Sequence, residues 1–128
     1  MTPPTADDIA DLAERALAAI PAGLAEHVRG VGISVEELPD EETLKGLGIE
    51  SAWELTGLYQ GTPLTERSVS DIARQPDLIF LYRQPILLEW IETGVDLYHL
   101  VRNVLVHEVA HHFGFSDEAI EALEREMD

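Results

Sequence analysis

The sequence predicts an α+β domain: a small, mainly antiparallel or mixed sheet packed on an N-terminal helix and on a long helix near the end, followed by a short C-terminal helix. Three observations lead there. Apolar residues recur at three- and four-residue steps from Ile9 to Ile20 and again from Leu97 to Val109, the period of a helix with one buried side. Between them lie short strand-like runs, Val31–Glu36 and Asp77–Tyr82, whose alternation or β-branched and aromatic content suits a pleated surface. A chain of 128 residues has room for one core, so residues 1–128 are read as one domain.

Taken in order, Thr5 can cap the first helix, with Asp7 and Asp8 well placed in its positive first turn. Ile9, Leu12, Ala13, Ala16, Leu17 and Ile20 form its apolar stripe, and Pro21 and Gly23 end it. The first strand, Val31–Glu36, turns Val31, Ile33 and Val35 to the core. Pro39–Gly48 is acidic and irregular, a loop or a helical turn. A second strand-like run lies within Trp53–Gln60, ending at Leu58-Tyr59, and Gly61-Thr62-Pro63 is a turn signal. Thr65–Gln75 reads as a connection with a short helix over Val69–Ala73. Asp77–Tyr82 is the clearest strand. Pro76 and Pro85 bracket it, which is compatible with a sheet edge. Pro85 opens a short helix to Glu92 as its first residue. Asp96 caps the long helix, and Ser116 or Asp117 caps the last one, Glu118–Met127, with Ile120, Leu123 and Met127 inward.

Composition narrows the function. Twenty-five acidic against eight basic residues give a formal charge of −17. Such a surface repels nucleic acid and anionic membrane and favours neutral or cationic partners. A general solubility device explains the acids more simply than a dedicated basic partner does. With no cysteine, disulfides and thiolate metal sites are excluded. The apolar run Ile79–Ile91 is broken by Arg83, Gln84, Pro85 and Glu89, too soon for a membrane span. The acidic N-terminus lacks a secretory profile, so a cytoplasmic location is the expectation. Oligomeric state is left open by the sequence.

The long helix carries the chemistry. His107-Glu108-Val109-Ala110-His111 is an HExxH motif, followed by Gly114 and Asp117. Residues four apart on a helix lie on one face a turn apart, so the two imidazoles can close on one ion. Glu108 is offset from that pair but near enough to touch a water on the metal. Gly114 suits the left-handed turn that ends a helix. The reversal then brings Asp117 as a third ligand and leaves one position open. The competing reading is a surface helix on which His and Glu pair by coincidence; the placement of Gly114 and Asp117 weighs against it.

These residues spell HExxHxxGxxD, which resembles the metzincin-type zinc peptidases, with Asp117 where most carry a third histidine. VHEVAHHFGFSDEAIEALE, together with Leu58-Tyr59-Gln60-Gly61-Thr62-Pro63-Leu64-Thr65-Glu66-Arg67, looks like the small bacterial zincin-like, or minimal metallopeptidase, family. The resemblance covers nearly the whole chain. It implies a zincin-like α+β fold, one Zn2+ ion and a zinc-dependent metallopeptidase activity on a peptide or protein substrate of unknown identity. Two departures from metzincins stand out. Aspartate is a harder, anionic donor that loosens metal selectivity, and the stretch after Asp117 leaves little room for a methionine turn or a specificity wall. Met127 belongs to a helical pattern instead. A substrate pocket is therefore expected to be shallow, completed by a partner, or absent.

The expected mechanism follows from an open three-ligand zinc site. His107, His111 and Asp117 leave the ion acidic enough to bring its water's pKa towards roughly 7. Glu108 is the general base that takes this proton and passes it to the leaving amine. Tyr59, Tyr82, Tyr98 and His112 are candidates to steady the oxyanion, and for each a packing role is the simpler reading. His112 lies about 100° round the helix from His111 and cannot replace it. His99 reads as a surface or helix-pairing residue, His27 cannot be placed from sequence, and Arg67 and Arg83, which could bind a substrate carboxylate, read more simply as partners for the chain's many acids. A bound peptide would extend along the sheet edge, expected at Asp77–Tyr82. The rivals are a catalytically silent metal-binding protein and, less favoured, a metal-dependent ribonuclease like the bacterial rRNA-maturation proteins with HxxxHxxGxxH. Those lack the glutamate beside the first histidine.

Overall fold

The computed structural model describes residues 2–28, 30–61 and 77–127. The expected connection Thr65–Gln75 with its short helix, Pro76, Arg67, and the Thr62-Pro63 part of the turn signal fall outside them. The described residues form an α+β fold of six helices and a three-stranded mixed sheet.

Helix α1 (Ala6–Ala18) starts where the sequence places it. Thr5 Oγ1 accepts from the Asp8 N–H while Asp8 Oδ2 accepts from the Thr5 N–H, the reciprocal box that satisfies two orphan donors of a first turn. Ile9, Ala13 and Ala16 are sealed on its inner face. A single turn, α2 (Ala22–Ala25), follows and leads through a 3-10 turn to strand β1 (Gly32–Glu36). The acidic stretch expected as a loop or helical turn is a seven-residue helix, α3 (Glu41–Leu47). Asp40 caps it at 2.7 Å from the Thr43 N–H, and Gly48, at φ 70°, closes it in the left-handed conformation that glycine adopts without strain.

The strand run around Trp53 is shorter than expected. Ala52–Glu54 is a 3-10 turn, and only Gly57–Gln60 pairs, as β2. Strand β3 (Leu78–Tyr82) agrees with its expected bounds to one residue, but not as an edge. The sheet order is β1-β3-β2, with β1 parallel and β2 antiparallel to β3. Pro85 misleads because it lies beyond the strand, in the first turn of helix α4 (Arg83–Thr93) and not at its first residue. A missing N–H breaks no bond in either setting. Ile33, Ile79 and Tyr59 stand in one row across the sheet, and Val35, Leu81 and Gly57 in the next, so one face of all three strands meets the helices.

Against that face lies helix α5 (Leu97–His112), capped by Asp96, which accepts from the His99 N–H. Val101, Leu105, Val106, Val109 and Ala110 are inaccessible to solvent, between α1 and the sheet. Each fully buried Val or Leu is worth about 1.5–3 kcal/mol of transfer free energy, so this helix is held firmly from below. It ends as expected at Gly114, at φ 81°, where the Phe115 N–H donates to the Ala110 carbonyl, the Schellman closure. Helix α6 (Asp117–Met127) then doubles back, capped by Ser116, whose Oγ accepts from the Ala119 N–H. Ile120 is sealed beneath it, with Leu123 and Met127 beside it. Among the described residues no helix is long and apolar enough to cross a membrane.

Candidate metal centre

The uncovered side of α5 builds the site. His99, Asn103, His107 and His111 follow one another at steps of four, with Leu100, Val104 and Glu108 as the adjacent row, so two neighbouring ridges of the helix face the same way. Together they form one wall of a groove of about 480 Å³, whose other wall is Thr56, Glu89, Thr93 and Val95. The sequence reading missed that second wall, because it is contributed by α4, by Val95 just beyond it and by the residue before β2.

His107 and His111 lie one turn apart with ring centres 5.9 Å from each other and planes near perpendicular, at 86°. Their distal nitrogens meet different acids of α6. His111 Nε2 is 3.2 Å from Asp117 Oδ1, and His107 Nε2 is 2.5 Å from Glu124 Oε1. The helical reversal therefore does bring Asp117 back to the motif, beside one histidine rather than between both. Among the described residues, no three His, Asp or Glu side chains converge closely enough to hold an ion as they stand. The donor types nevertheless fit zinc, which takes imidazole nitrogens and carboxylate oxygens. Glu124 Oε1 adds to this fit: it is closed to solvent, and its one close contact, with His107 Nε2, lacks the geometry of a hydrogen bond, a state that favours positive charge nearby.

Glu108 lines the same groove wall as the two imidazoles. Burial raises its pKa above the ordinary glutamate value, partly offset by a hydrogen bond from the Tyr59 main chain and by the charges of His111 and His107. Its nearness to β2 depends on Gly57. A Cβ there would stand 2.7 Å from Val104 Cγ1 and 3.4 Å from Glu108 Cγ, so any side chain would push the strand off the helix.

With the fold and this groove in view, the comparison with known families becomes informative: a model of the zincin-like metallopeptidase family matches residues 28–127. The chain belongs to that family. No curated protein matches it. The family match spans the sheet, the groove and the motif helix of this zincin-like chain, and membership implies a zinc cofactor in general terms.

The remaining candidates of this zincin-like domain take packing roles. The Tyr59 hydroxyl donates to Asp77 Oδ2 at 2.7 Å, and its ring stacks on His112 with centres 3.9 Å apart. Tyr98 lies beneath the Arg15 guanidinium. Tyr82 lines a different depression, with Phe80, Leu58 and Glu36, and burial raises its pKa. None of these four aromatic residues lines the groove. His27 stacks on Phe113, and Arg83 pairs with Glu37 at 2.8 Å, as its sequence setting implied. His99 pairs with Asp96 on the surface while its ring borders the groove.

Proposed function

We propose that this chain is a zinc-dependent peptidase that binds one Zn2+ through His107, His111 and Asp117 and hydrolyses peptide bonds with Glu108 as general base. One observation carries the proposal: Glu108, its pKa raised by burial, shares a groove wall with both motif histidines. Raised proton affinity suits a carboxylate that must accept a proton and give it up again near neutral pH. When bound, the ion would supply an acidified water and polarise the scissile carbonyl. Glu108 receives the proton of the attacking water and delivers it to the leaving amine. The Tyr59 main-chain donor and the close seat provided by Gly57 fix the orientation of the carboxylate. An extended peptide or protein segment would run along β2, the edge strand beside α5, rather than along β3. Val104, Leu100 and Val95 offer its side chains an apolar floor.

A second reading, a metal-binding protein without turnover, draws support from the two separate imidazole–carboxylate contacts. One experiment separates the two. Purified protein reconstituted with zinc is expected to hold one ion and to cleave members of a peptide library. Glu108→Gln should keep the ion and lose the cleavage. Folded wild-type protein that takes up no zinc would defeat both readings, and zinc uptake without cleavage of any peptide would favour the second.

A further inference from the structure

We propose that the depression on the face of the sheet turned away from α1 and α5 is a docking site for a peptide segment carrying an arginine or lysine among apolar residues. The proposal is independent of the zinc-binding reading. Side chains alternate along a strand, so the row Ser34, Phe80 and Leu58 lies on the face opposite the helix-packed row of Ile33, Ile79 and Tyr59. Tyr82, two residues beyond Phe80 and paired with Glu36, shares that outer face. Leu58, Phe80 and Tyr82 form the floor of the depression, and Glu36, Asp40 and Glu42 stand at its rim. Its volume of about 620 Å³ falls within the range of about 300–1,000 Å³ that ligand sites fill. Helix α3 buries none of its residues, so it borders this floor without closing over it.

Charge alone selects no place on this chain, because a net charge of −17 draws cations to the whole surface. Two features single out the depression. The first is which acids are already answered. Glu37 is bound by Arg83 and Gln84, and Asp40 is spent on the Thr43 N–H. Glu36 accepts only from the Ser34 hydroxyl, and among the described residues no cation pairs with Glu36 or Glu42. The second is Tyr82. It is only 4% exposed, yet its hydroxyl meets no hydrogen-bond partner among the described residues, and the opening it has is onto the depression that it lines. Burial and the charges of Asp40 and Glu36 raise its pKa, so it stays a neutral phenol. Such a hydroxyl accepts from an ammonium or guanidinium while the carboxylates supply the opposite charge. A metal ion does not fit, since among the described residues no three His, Asp or Glu side chains gather about one point. Phe80 takes the apolar stem of a long basic side chain. Leu58 lies one strand away, about 4.8 Å across the sheet, so the floor is broader than one stem and suits the apolar neighbours that a peptide brings and a free amine lacks.

The test is a titration followed in nitrogen–proton correlation spectra of the full chain, with chelator present so that no peptide is cut. Salt is held at about 0.15 M, where charges more than about 8 Å apart are screened. The probes are a blocked pentapeptide with arginine between leucines and the same peptide with citrulline, the uncharged isostere. Saturable shifts confined to residues 34–36, 40–43, 58–60 and 80–82 are expected, with the citrulline peptide at least about 10-fold weaker. Tyr82→Phe should weaken the arginine peptide by about 10-fold, the lower end of what a hydrogen bond to a charged group contributes. Glu36→Gln with Glu42→Gln should do the same. Asp11→Asn with Glu14→Gln, which removes as much charge from the exposed side of α1, should change affinity by less than about twofold. No binding, shifts spread equally over α1 and α6, or equal losses from the two charge pairs would overturn the proposal, as would unchanged affinity in Tyr82→Phe. A blocked single arginine that binds as tightly as the pentapeptide would make this a site for small cations and overturn peptide docking. Should Tyr82→Phe misfold by circular dichroism, the two charge pairs decide alone.

Discussion

Asp117 and Glu124 sit two turns apart on one helix, and each meets a histidine of α5, yet solvent reaches most of the first side chain and little of the second. The exposed contact belongs to a class worth about 0–1 kcal/mol. Water can replace either partner. At the second contact one oxygen, Glu124 Oε1, is closed to solvent, so whatever satisfies that atom must be another group of the protein or an ion. The motif spacing singles out Asp117. The surroundings single out Glu124. The difference teaches that an acid's position in a pattern and its commitment to its surroundings are separate properties, and only packing reveals the second.

The largest expected effects ask whether the two contacts share one ion. His107→Ala and His111→Ala should each abolish stoichiometric zinc, read by metal analysis, and all peptide cleavage with it. Zinc retained in either variant would make the contacts independent. Glu108→Gln should keep the metal and lower kcat by about 10²–10⁴-fold, the usual share of a general base.

Next comes stability without metal. In chelator-treated protein, His107→Ala removes the ring that meets the closed-off Glu124 oxygen and is expected to cost about 1–3 kcal/mol in urea unfolding. His111→Ala uncovers an acid already in water and should stay within about 0.5 kcal/mol of wild type. Equal losses would erase the contrast. A smaller change is expected on α6 itself: Asp117→Asn should shift metal-free stability by no more than about 0.5 kcal/mol. Ser116→Ala, which removes the actual cap, should cost about 1 kcal/mol.

The smallest effects are in pH dependence, where a partly buried acid and an exposed one act in opposite directions. Burial raises the pKa of Glu108, so its contribution to metal-free stability is full below the ordinary glutamate value and is lost as pH rises through the higher folded value. Glu37, exposed and bound by Gln84 and Arg83, has its pKa lowered. Its contribution is present above the ordinary value and is lost as pH falls through the lowered one. Urea midpoints measured across the acid range should show Glu108→Gln flattening the first trend and Arg83→Ala the second.

Local chemistry was legible in the sequence. Thr5, Asp96 and Gly114 mark helix ends by side-chain and backbone rules that act over a few residues, and all three serve as expected. Asp40 and Gly48 carry the same information for α3, masked by the acids between them. Sheet order was not legible, because β3 lies between strands that come before it in the chain, and flanking prolines report hydrogen bonding at their own positions alone. Glu124 was also hidden: Asp117, Glu118, Glu121, Glu124 and Glu126 crowd one helix, and nothing local says which of them faces inward. The groove's far wall, from Thr56 and α4, depends on contacts distant in sequence.

Gly114 folds the chain back so soon after His111 that His107, His111, Asp117 and Glu124 belong to one helical hairpin. The histidine–acid contacts lie within it, whereas its apolar side, Val101, Leu105 and Val109, is finished only by α1 and the sheet. A graft of this hairpin onto another protein would therefore carry both motif histidines and both of their acids with it and still fail, unless the host offered an equally greasy bed for the underside to rest on.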